Sequence, residues 1–546
     1  MKRKMKKAIC LVLCVVMLCS MFLTGCGDKS STSSRKDIDV TFPLEEEITI
    51  TFMVRGVEDS NFKTKLAENK LFKRIKEETN VNMEFMFLGN DPEQKLTLLI
   101  NSGNYGDVLL GGPILNAISA SRYFASGIFQ DMTDYVNEEY MPNLTSIIKT
   151  MPEITSMISS EDGKIYTLPY IDHLEGNGLE SPFWINKAWL DKLGLSVPTT
   201  IDEFTNVLRA FRDNDPNGNG IQDEIPYLVC TNNEFYSLDA LYGCWGLAFK
   251  DGELDGYAGV KDGKVYFGPT QEAFKEAVKY QAMLYDESLM WNECYTASQS
   301  TSNSKLASDI CTVGCFTSVS LPNTTYVDDY VCMVPPKVEG YEACWYVNPS
   351  VVASKDRFYI TNKCQYPDVV CKLMDYFYDF ENAWEVEFGA EADGRWYTDE
   401  NGKKVVRNDL TMAQNSEIDA KNPTLLDLLP RMLHALTSEG YQNVINDDYK
   451  SYKTAWQTYS AAGVLNQEIW PRPYYSNEDA NTVYRLTTDI FYQVDTYRAK
   501  WITGQTDIDD EWDDYLKKLE QLEVDKMVSI MQSAYDSYLK NVDSVK

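Results

Sequence analysis

The chain has 546 residues, of which 44% are hydrophobic and 12% aromatic, and its formal net charge is −31 at pH 7. This composition is that of a globular protein, and the length suggests several domains. A body this acidic repels nucleic acid and anionic membrane surfaces, and no cluster of basic residues in the sequence overrides the repulsion. Nucleic-acid binding is therefore excluded.

The N-terminus is typical of a secretory signal peptide over residues 1–25. Lysine and arginine dominate its first positions, and the apolar run that follows is shorter than the ~20 residues of a comfortable membrane span. The run ends in Leu23-Thr24-Gly25-Cys26, which matches the bacterial lipobox at all four positions. We predict that Cys26 carries a lipid, with palmitate among its acyl chains, on the extracellular face of the cell membrane. The alternative is a cysteine that follows an ordinary signal peptide by chance.

Residues 26–43 form the segment between this cysteine and the body. They are rich in Ser, Thr, Lys and Asp and poor in apolar side chains. Such a segment buries too little surface to offset the entropy lost on ordering. We therefore expect it to be a flexible tether.

Strands and helices alternate at the start of the body. Runs of β-branched and apolar residues predict strands, and amphipathic runs predict helices between them, the strands at 48–54, 81–87 and 107–110 and the helices at 69–79 and 93–102. This alternation predicts a parallel α/β sheet. Ligand crevices lie beyond the carboxyl ends of such strands, which makes Arg55 a candidate ligand contact, a solvated loop charge being the alternative.

A second group of elements follows residues 163–187, where a Gly-rich loop between two apolar segments predicts a crossover from a first lobe into a second. A helix is expected to end at Gly194, a common helix C-cap. Thr200 and Asp202 are residues that favour the start of the next helix.

Residues 213–224 (DNDPNGNGIQDE) place oxygen-bearing side chains at alternate positions, with glycines that permit a sharp turn. Hard Ca²⁺ takes several oxygens at close range, as in an EF-hand loop. One register starts at Asp213, with Gly218 at position six and Glu224 at position twelve, and another starts at Asp215. A solvated Asn/Gly turn is the alternative to a metal site.

Residues 184–200 (WINKAWLDKLGLSVPTT), together with residues 213–224, resemble the extracellular solute-binding proteins of family 1. The similarity is strongest to the lipoprotein branch that serves ABC importers of oligosaccharides. Residues 274–289, 359–367 and 501–504 resemble later elements of the same family, so the resemblance covers the whole body.

The resemblance implies an α/β protein with a two-lobed type II periplasmic-binding-protein fold, an interlobe hinge and a cleft that closes on its ligand. The first lobe would lie mainly in 44–168 and the second in 169–345. Residues 346–546 would cross back, complete the lobes and form the C-terminal helices. The implied function is that of a monomer, not an enzyme, that captures an oligosaccharide and delivers it to the permease of an ABC transporter.

The resemblance also favours the second register of the oxygen-rich segment. The ligands of Ca²⁺ would then be five side chains and one backbone carbonyl, that of Ile221, in the set Asp215, Asn217, Asn219, Ile221, Asp223 and Glu224. Neither register has the aliphatic residue at position eight that a paired EF-hand uses. We therefore expect a lone structural site.

Aromatic side chains are expected to stack on the apolar faces of a bound sugar. The candidates stand in loops or at strand ends beside Gly, Pro or Asn, namely Tyr170, Trp184, Trp245, Trp345, Trp396 and Trp470. A core position is the alternative for each tryptophan, and we expect two or three to line the cleft. Arg395 is a candidate partner for an acidic sugar, with a surface ion pair as the alternative.

Two other functions stay open at the level of sequence. An extracellular glycosidase needs two carboxylates ~5 to 9 Å apart, and the 82 Asp and Glu residues could supply them although nothing marks a pair. With two histidines in the chain, His173 and His434, a Ser/His/Asp arrangement is hard to assemble. A solute-sensing lipoprotein would have the same body and dock a membrane receptor.

Overall fold

The protein is described by a computed structural model over most of the body, at residues 35–36, 38–56, 66, 69–112, 114–172, 179–231, 237–249, 256–319, 321, 326–347, 352–355, 357–402, 404–407, 410, 414, 417–418, 425, 429, 431–433, 447–466 and 468–545. The predicted signal peptide, Cys26, His173 and His434 lie outside these residues. Within them, no helix has both the length and the apolar character needed to cross a bilayer.

Strands and helices alternate through both lobes. In chain order the strands are β1 (Ile48–Val54), β2 (Val81–Phe87), β3 (Val108–Leu110), β4 (Tyr170–Asp172), β5 (Phe183–Asn186), β6 (Ile225–Leu228), β7 (Ala258–Lys261), β8 (Lys264–Phe267), β9 (Val313–Thr317), β10 (Tyr330–Met333), β11 (Val352–Ser354), β12 (Phe358–Ile360), β13 (Trp396–Thr398), β14 (Lys404–Val406) and β15 (Arg431–Leu433). The helices are α1 (Lys70–Thr79), α2 (Pro92–Ser102), α3 (Ala117–Ala125), α4 (Pro142–Thr150), α5 (Glu153–Ile158), α6 (Lys187–Leu193), α7 (Ile201–Asp213), α8 (Glu272–Asp286), α9 (Gln299–Leu306), α10 (Pro367–Asp375), α11 (Phe380–Phe388), α12 (Asp447–Ala462), α13 (Asn477–Ile502), α14 (Ile508–Gln521) and α15 (Val524–Val545).

The first lobe is built on a sheet of order β12-β3-β1-β2. β1 runs parallel to both of its neighbours, β2 and β3, whereas β12 is antiparallel to β3. Phe52, Met53 and Val54 of β1 are fully buried, as expected where both faces of a sheet are covered. The side chain of Asn69 accepts hydrogen bonds from the first amides of α1. The predicted strands and helices of this region are confirmed.

The second lobe is built on a sheet of order β10-β5-β9-β6. β5 is antiparallel to β9 and β10, and β6 is parallel to β9. α6 ends at Gly194, which has the left-handed conformation, and α7 begins with a capping box formed by Thr200 and Glu203. The predicted caps of both helices are confirmed, and α7 packs beside β6.

A third sheet joins the two lobes. β4 lies between β11 and β15, antiparallel to the first and parallel to the second. β4 precedes the first strand of the second lobe, and β11 precedes β12 of the first lobe, so the chain passes between the lobes at this sheet. Because each lobe has its own sheet and its own main hydrophobic core, the molecule has the predicted two-lobed α/β fold.

The C-terminal helices touch both lobes. α13 packs against α3 of the first lobe and α8 of the second, and α15 packs against α5 of the first lobe and β8 of the second. Met527 and Met531 of α15 are fully buried in the core of the second lobe. These helices therefore belong to the second lobe and form contacts across to the first.

The described end of the expected tether contacts the body of the protein. Ile38, Val40 and Phe42 pack against the core of the first lobe. The ammonium group of Lys372 donates to the carbonyl of Val40 at 2.7 Å, and the ring of Phe42 lies 6.3 Å from that of Tyr376. The expected flexibility of residues 26–43 stays a prediction.

Candidate functional site

Arg55 follows the carboxyl end of β1, and its side chain is exposed. The next residue, Gly56, pairs with Gly89 just past β2. Gly111, just past β3, donates its amide to the carbonyl of Arg357 at 2.9 Å. The carboxyl edge of the first sheet therefore meets the segment that crosses between the lobes. Arg55 lies at that edge, and its role as a ligand contact stays a prediction.

Tyr170 begins β4 and is half-buried. The guanidinium carbon of Arg357 lies 5.1 Å from the centroid of the tyrosine ring, within the range of a cation–π contact. Arg357 therefore covers part of this ring in the sheet between the lobes. A contact of Tyr170 with a ligand stays a prediction.

The tryptophans expected near the cleft are buried, with exposed fractions of 1% for Trp184, 5% for Trp245, 2% for Trp345, 7% for Trp396 and 3% for Trp470. The indole N–H of Trp184 donates to the carbonyl of Ser318 at 2.9 Å, and that of Trp345 to the carbonyl of Glu180 at 2.6 Å. The ring of Trp345 also packs against Phe183. Because their polar atoms are satisfied inside the second lobe, the expected cleft positions of Trp184 and Trp345 are corrected to core positions.

Trp245 and Trp470 are buried in the same core, although the indole N–H of Trp470 has no hydrogen-bond partner among the described residues. Trp245 ends the 3-10 helix Leu238–Trp245 and lies 5.4 Å from the ring of Tyr280. Trp470 lies 6.3 Å from the ring of Tyr535 in α15. Gly246 ends the 3-10 helix and marks no open surface, and burial in the core corrects both expectations.

Trp396 belongs to a small separate core in the first lobe. Its ring lies 5.6 Å from that of Trp384, its indole N–H donates to the carbonyl of Gly389 at 2.8 Å, and the ammonium of Lys404 lies 4.3 Å from its centroid. These contacts account for both faces and the polar edge of the ring, which corrects its expected place in the cleft. Arg395 beside it is half-buried, and its role stays a prediction.

Residues 215–224 form the oxygen-rich loop, which joins α7 to β6. One carboxylate oxygen of Asp215 accepts the amides of Gly218 at 2.7 Å and Asn219 at 3.1 Å, and the other accepts the amide of Gly220 at 2.9 Å. Both glycines have a positive φ, which a residue with a Cβ adopts only with strain. The amides, led by that of Gly220, lower the pKa of the Asp215 carboxyl.

Glu224, at the other end of the loop, has no such partners. Both of its carboxylate oxygens are shielded from solvent without a well-formed hydrogen bond. Burial raises the pKa of Glu224, and the negative charges of Asp223 and Asp215 add to the effect, whereas the backbone amides of Glu224 and Asp223 oppose it. A buried carboxylate is costly unless a cation compensates its charge, so this end of the loop fits a hard cation.

Asn217 and Asn219 lie between these two carboxylates. Their side-chain nitrogens donate to the carboxylate of Asp223, each at 3.0 to 3.1 Å. To bind Ca²⁺, both amides would rotate so that an oxygen replaces the nitrogen on this side. The carbonyl of Ile221, which accepts the amide of Asp223 at 3.1 Å, would be a further oxygen.

The two possible registers of the loop differ in whether Asp213 is a ligand. Asp213 is paired with Arg212. The guanidinium of Arg212 holds it at 2.6 and 2.9 Å, so the structure favours the register that starts at Asp215. Within the described ranges, no group of three or more His, Cys, Asp and Glu side chains could hold a metal. Amide and backbone oxygens would therefore have to complete the site.

The sequence did not indicate a polar groove between α2, α3 and the start of α13, with a volume of about 830 Å³. Ser119 donates to the carboxylate of Glu93 at 2.6 Å, and the guanidinium carbon of Arg122 lies 4.9 Å from the centroid of the Tyr484 ring. Carboxylate, amide and hydroxyl groups are present among the remaining lining residues, although apolar atoms contribute most of the exposed wall. The groove residues stand on the polar faces of three helices distant in sequence, where no motif distinguishes them from ordinary solvated residues.

Comparisons with known proteins agree with this fold. The sequence model of the bacterial extracellular solute-binding proteins matches residues 60–384, which is more than half of the chain. The fructooligosaccharide ABC transporter substrate-binding protein FusA of Streptococcus pneumoniae serotype 4 is 29% identical over 541 residues, which cover 95% of this chain and 96% of FusA.

Two solved structures have the same architecture. An HMO binding, ABC-transporter-associated solute-binding protein from Bifidobacterium longum infantis matches with a TM-score of 0.76 and 24% identity, over 90% of this chain and 99% of the other. An EF-hand mutant of S. pneumoniae FusA, in complex with fructo-nystose, matches with a TM-score of 0.75 and 24% identity, over 90% of this chain and 100% of the other. On the match of the family model, the chain belongs to the bacterial extracellular solute-binding proteins.

Proposed function

We propose that this protein binds an oligosaccharide outside the cell and delivers it to the permease of an ABC transporter. The observation that carries the proposal is the similarity to FusA over nearly the full length of both chains. The two lobes and the sheet that joins them support it, because hinge closure around a ligand requires such an arrangement.

Capture is proposed to leave the ligand chemically unchanged, because the similar proteins are described as binding proteins. Incubation with a bound oligosaccharide should release no new reducing ends. Product formation that scales with protein concentration would favour the glycosidase alternative.

The anchor is proposed to be a lipid on Cys26, with the protein acting as a monomer at the outer face of the membrane. Arg35 pairs with Asp368 on the first lobe at 3.2 Å. The nine residue steps from Cys26 to Arg35 span at most about 30 Å, which would hold this part of the lobe close to the membrane. A Cys26→Ser variant should appear in the culture medium, whereas the parent protein should sediment with membranes.

The oxygen-rich loop is proposed to bind one structural Ca²⁺ through Asp215, Asn217, Asn219, Ile221, Asp223 and Glu224. The buried, unpartnered carboxylate of Glu224 supports this proposal. Similarity to a protein in which an EF-hand was mutated agrees with it. The ion would supply positive charge that offsets the carboxylates and fixes the turn between α7 and β6.

Thermal melting tests both proposals on the chain from Gly27 onward. A ligand that binds only the folded state adds ~2.7 kcal/mol at 100 times its Kd, which should raise the melting temperature visibly. A rise with an oligosaccharide and a fall in a calcium chelator are expected. A rise with a peptide or another solute, and with no saccharide in a broad panel, would contradict carbohydrate capture.

A further inference from the structure

The groove between α2, α3 and α13 has the chemistry of a sugar site. Its volume of about 830 Å³ lies within the usual range of about 300–1,000 Å³ for ligand pockets. Gln94 and Asn481 provide amides that both donate and accept hydrogen bonds, as sugar hydroxyls require. The rings of Tyr123 and Tyr484 provide apolar faces for sugar C–H groups.

The groove also joins the two lobes. Ile118 of α3 is fully buried in the hydrophobic core that the second lobe and α13 share. The backbone amide of Tyr475, just before α13, donates to the hydroxyl of Ser121 at 3.1 Å. A ligand in the groove would therefore touch the first lobe through α2 and α3 and the second lobe through α13.

Negative charge prevails along the groove. The charged side chains among its described lining residues are Asp91, Glu93 and Arg122, and Arg122 lies over the ring of Tyr484. The positive ends of α2 and α13 would attract an anion, but their first turns already hold Glu93 and the pair Glu478 and Asp479. These carboxylates offset the helix dipoles and leave the surface unfavourable for another anion.

We infer that this groove is a subsite for an uncharged oligosaccharide, and that Asp91 and Glu93 discriminate against sugars that carry carboxylates. The inference rests on the proposed capture of an oligosaccharide and specifies its class. Like charges repel over several ångströms, and salt screens the repulsion, so the discrimination against uronates should weaken as ionic strength rises.

Calorimetric titration with a neutral fructotrisaccharide tests the location of the subsite. The Tyr484→Ala variant of the chain from Gly27 onward should bind it about fivefold more weakly, because the contact of an aromatic ring contributes about 1 kcal/mol. Tyr492→Ala is the matched control, since Tyr492 lies on the same helix, is 68% exposed and does not line the groove. Unaltered melting of both variants without ligand would show that they fold.

The charge of the subsite is tested with a trigalacturonate of the same length. The parent protein should bind the neutral trisaccharide more tightly than the acidic one. The double variant Asp91→Asn, Glu93→Gln should gain affinity for trigalacturonate by about three- to tenfold at low salt, and less at high salt. Asp507→Asn, which alters a helix-capping carboxylate of α14 outside the groove, should leave both affinities unchanged.

Each outcome separates the inference from the proposed function. If trigalacturonate binds the parent protein as tightly as the neutral sugar, the charge discrimination is wrong although capture stands. If Tyr484→Ala binds the neutral sugar as well as Tyr492→Ala does, the groove is not the subsite. If no saccharide of either class binds at all, the proposed function itself fails.

Discussion

Glu224 and Asp375 are both carboxylates withdrawn from solvent, but their surroundings differ. The carboxylate of Asp375 accepts the amides of Asn143 at 3.0 Å and Leu144 at 2.9 Å, at the start of α4. That of Glu224 has no comparable bond. A carboxylate buried without a partner lowers the folding stability of a protein. Such a residue is kept where it has a function that outweighs this cost, and binding of a metal ion by Glu224 would be such a function.

Replacement of Glu224 by Gln should change stability with opposite sign in the presence and absence of calcium. In a chelator, the variant should melt higher than the parent, because it removes an uncompensated buried charge worth about 1–3 kcal/mol. In saturating Ca²⁺ it should melt lower, because it loses a charged ligand. Asp213→Asn is the control, since Asp213 pairs with Arg212 outside the loop. The same sign in both conditions would argue against a metal at Glu224.

Asp375 should make the stability of the protein depend on pH. Burial raises the pKa of its carboxyl to about 6 from 3.8, which exceeds the lowering by the amides of α4. Between these values the folded state holds a proton that the unfolded state has lost, so this contribution to stability falls as pH rises from about 4 to about 6. The total is at most about 3 kcal/mol. The unfolding free energy of the parent minus that of Asp375→Asn should fall as pH rises across this window. An unchanged difference would contradict the assignment.

Elements with strong local signals were predictable from the sequence, and the packing of single side chains was not. The β-branched run of β1 and the capping residues of α6 and α7 determine these elements locally. Trp345 instead packs against Phe183 and Tyr459, which are remote in sequence, so the residues adjacent to it in the chain gave no sign of burial. The oxygen-rich loop could be identified as a candidate metal site because all of its proposed ligands lie within ten residues. The groove could not be identified, because three helices form it.

A buried ion pair adds to the apolar contacts between α13 and the second lobe. Arg498 of α13 bonds to the carboxylate of Asp239 in the 3-10 helix Leu238–Trp245, and their side chains are 7% and 4% exposed. Asp239→Asn should cost about 3 kcal/mol of unfolding free energy, because it leaves a buried guanidinium with less compensation. Denaturant unfolding would measure this loss.

The matched control for this prediction is Arg485→Met on the same helix. Arg485 pairs with Glu523 at 3.3 Å, but the two side chains are 58% and 47% exposed. Its loss should cost less than about 1 kcal/mol, since exposed ion pairs contribute little. Equal costs at the two positions would mean that burial of the Arg498 pair is not what stabilises α13.

At the scale of the whole molecule, the three connecting strands and the C-terminal helices have different effects on motion. β4, β11 and β15 are short and lie side by side, so small backbone changes there can rotate one lobe against the other. The buried faces of α13, α14 and α15 lie in the core of the second lobe, and these helices should move with it. Their contacts with α3 and α5 of the first lobe are then the contacts that must slide or separate.

Ligand binding should therefore shorten distances between lobes without altering distances within a lobe. Spin labels at Lys73→Cys on α1 and Asp202→Cys on α7 are exposed and report on the interlobe distance. Labels at Asp202→Cys and Asp510→Cys lie on helices of the second lobe and provide the control. The described native cysteines are buried or half-buried, so the parent chain treated with the same reagent gives the background.

A saturating oligosaccharide should move the interlobe distance distribution to shorter distances and leave the distribution within the second lobe in place. Binding that shifts neither distribution would mean that the ligand is held without closure, and a shift of both would mean that α14 does not move as one body with the second lobe.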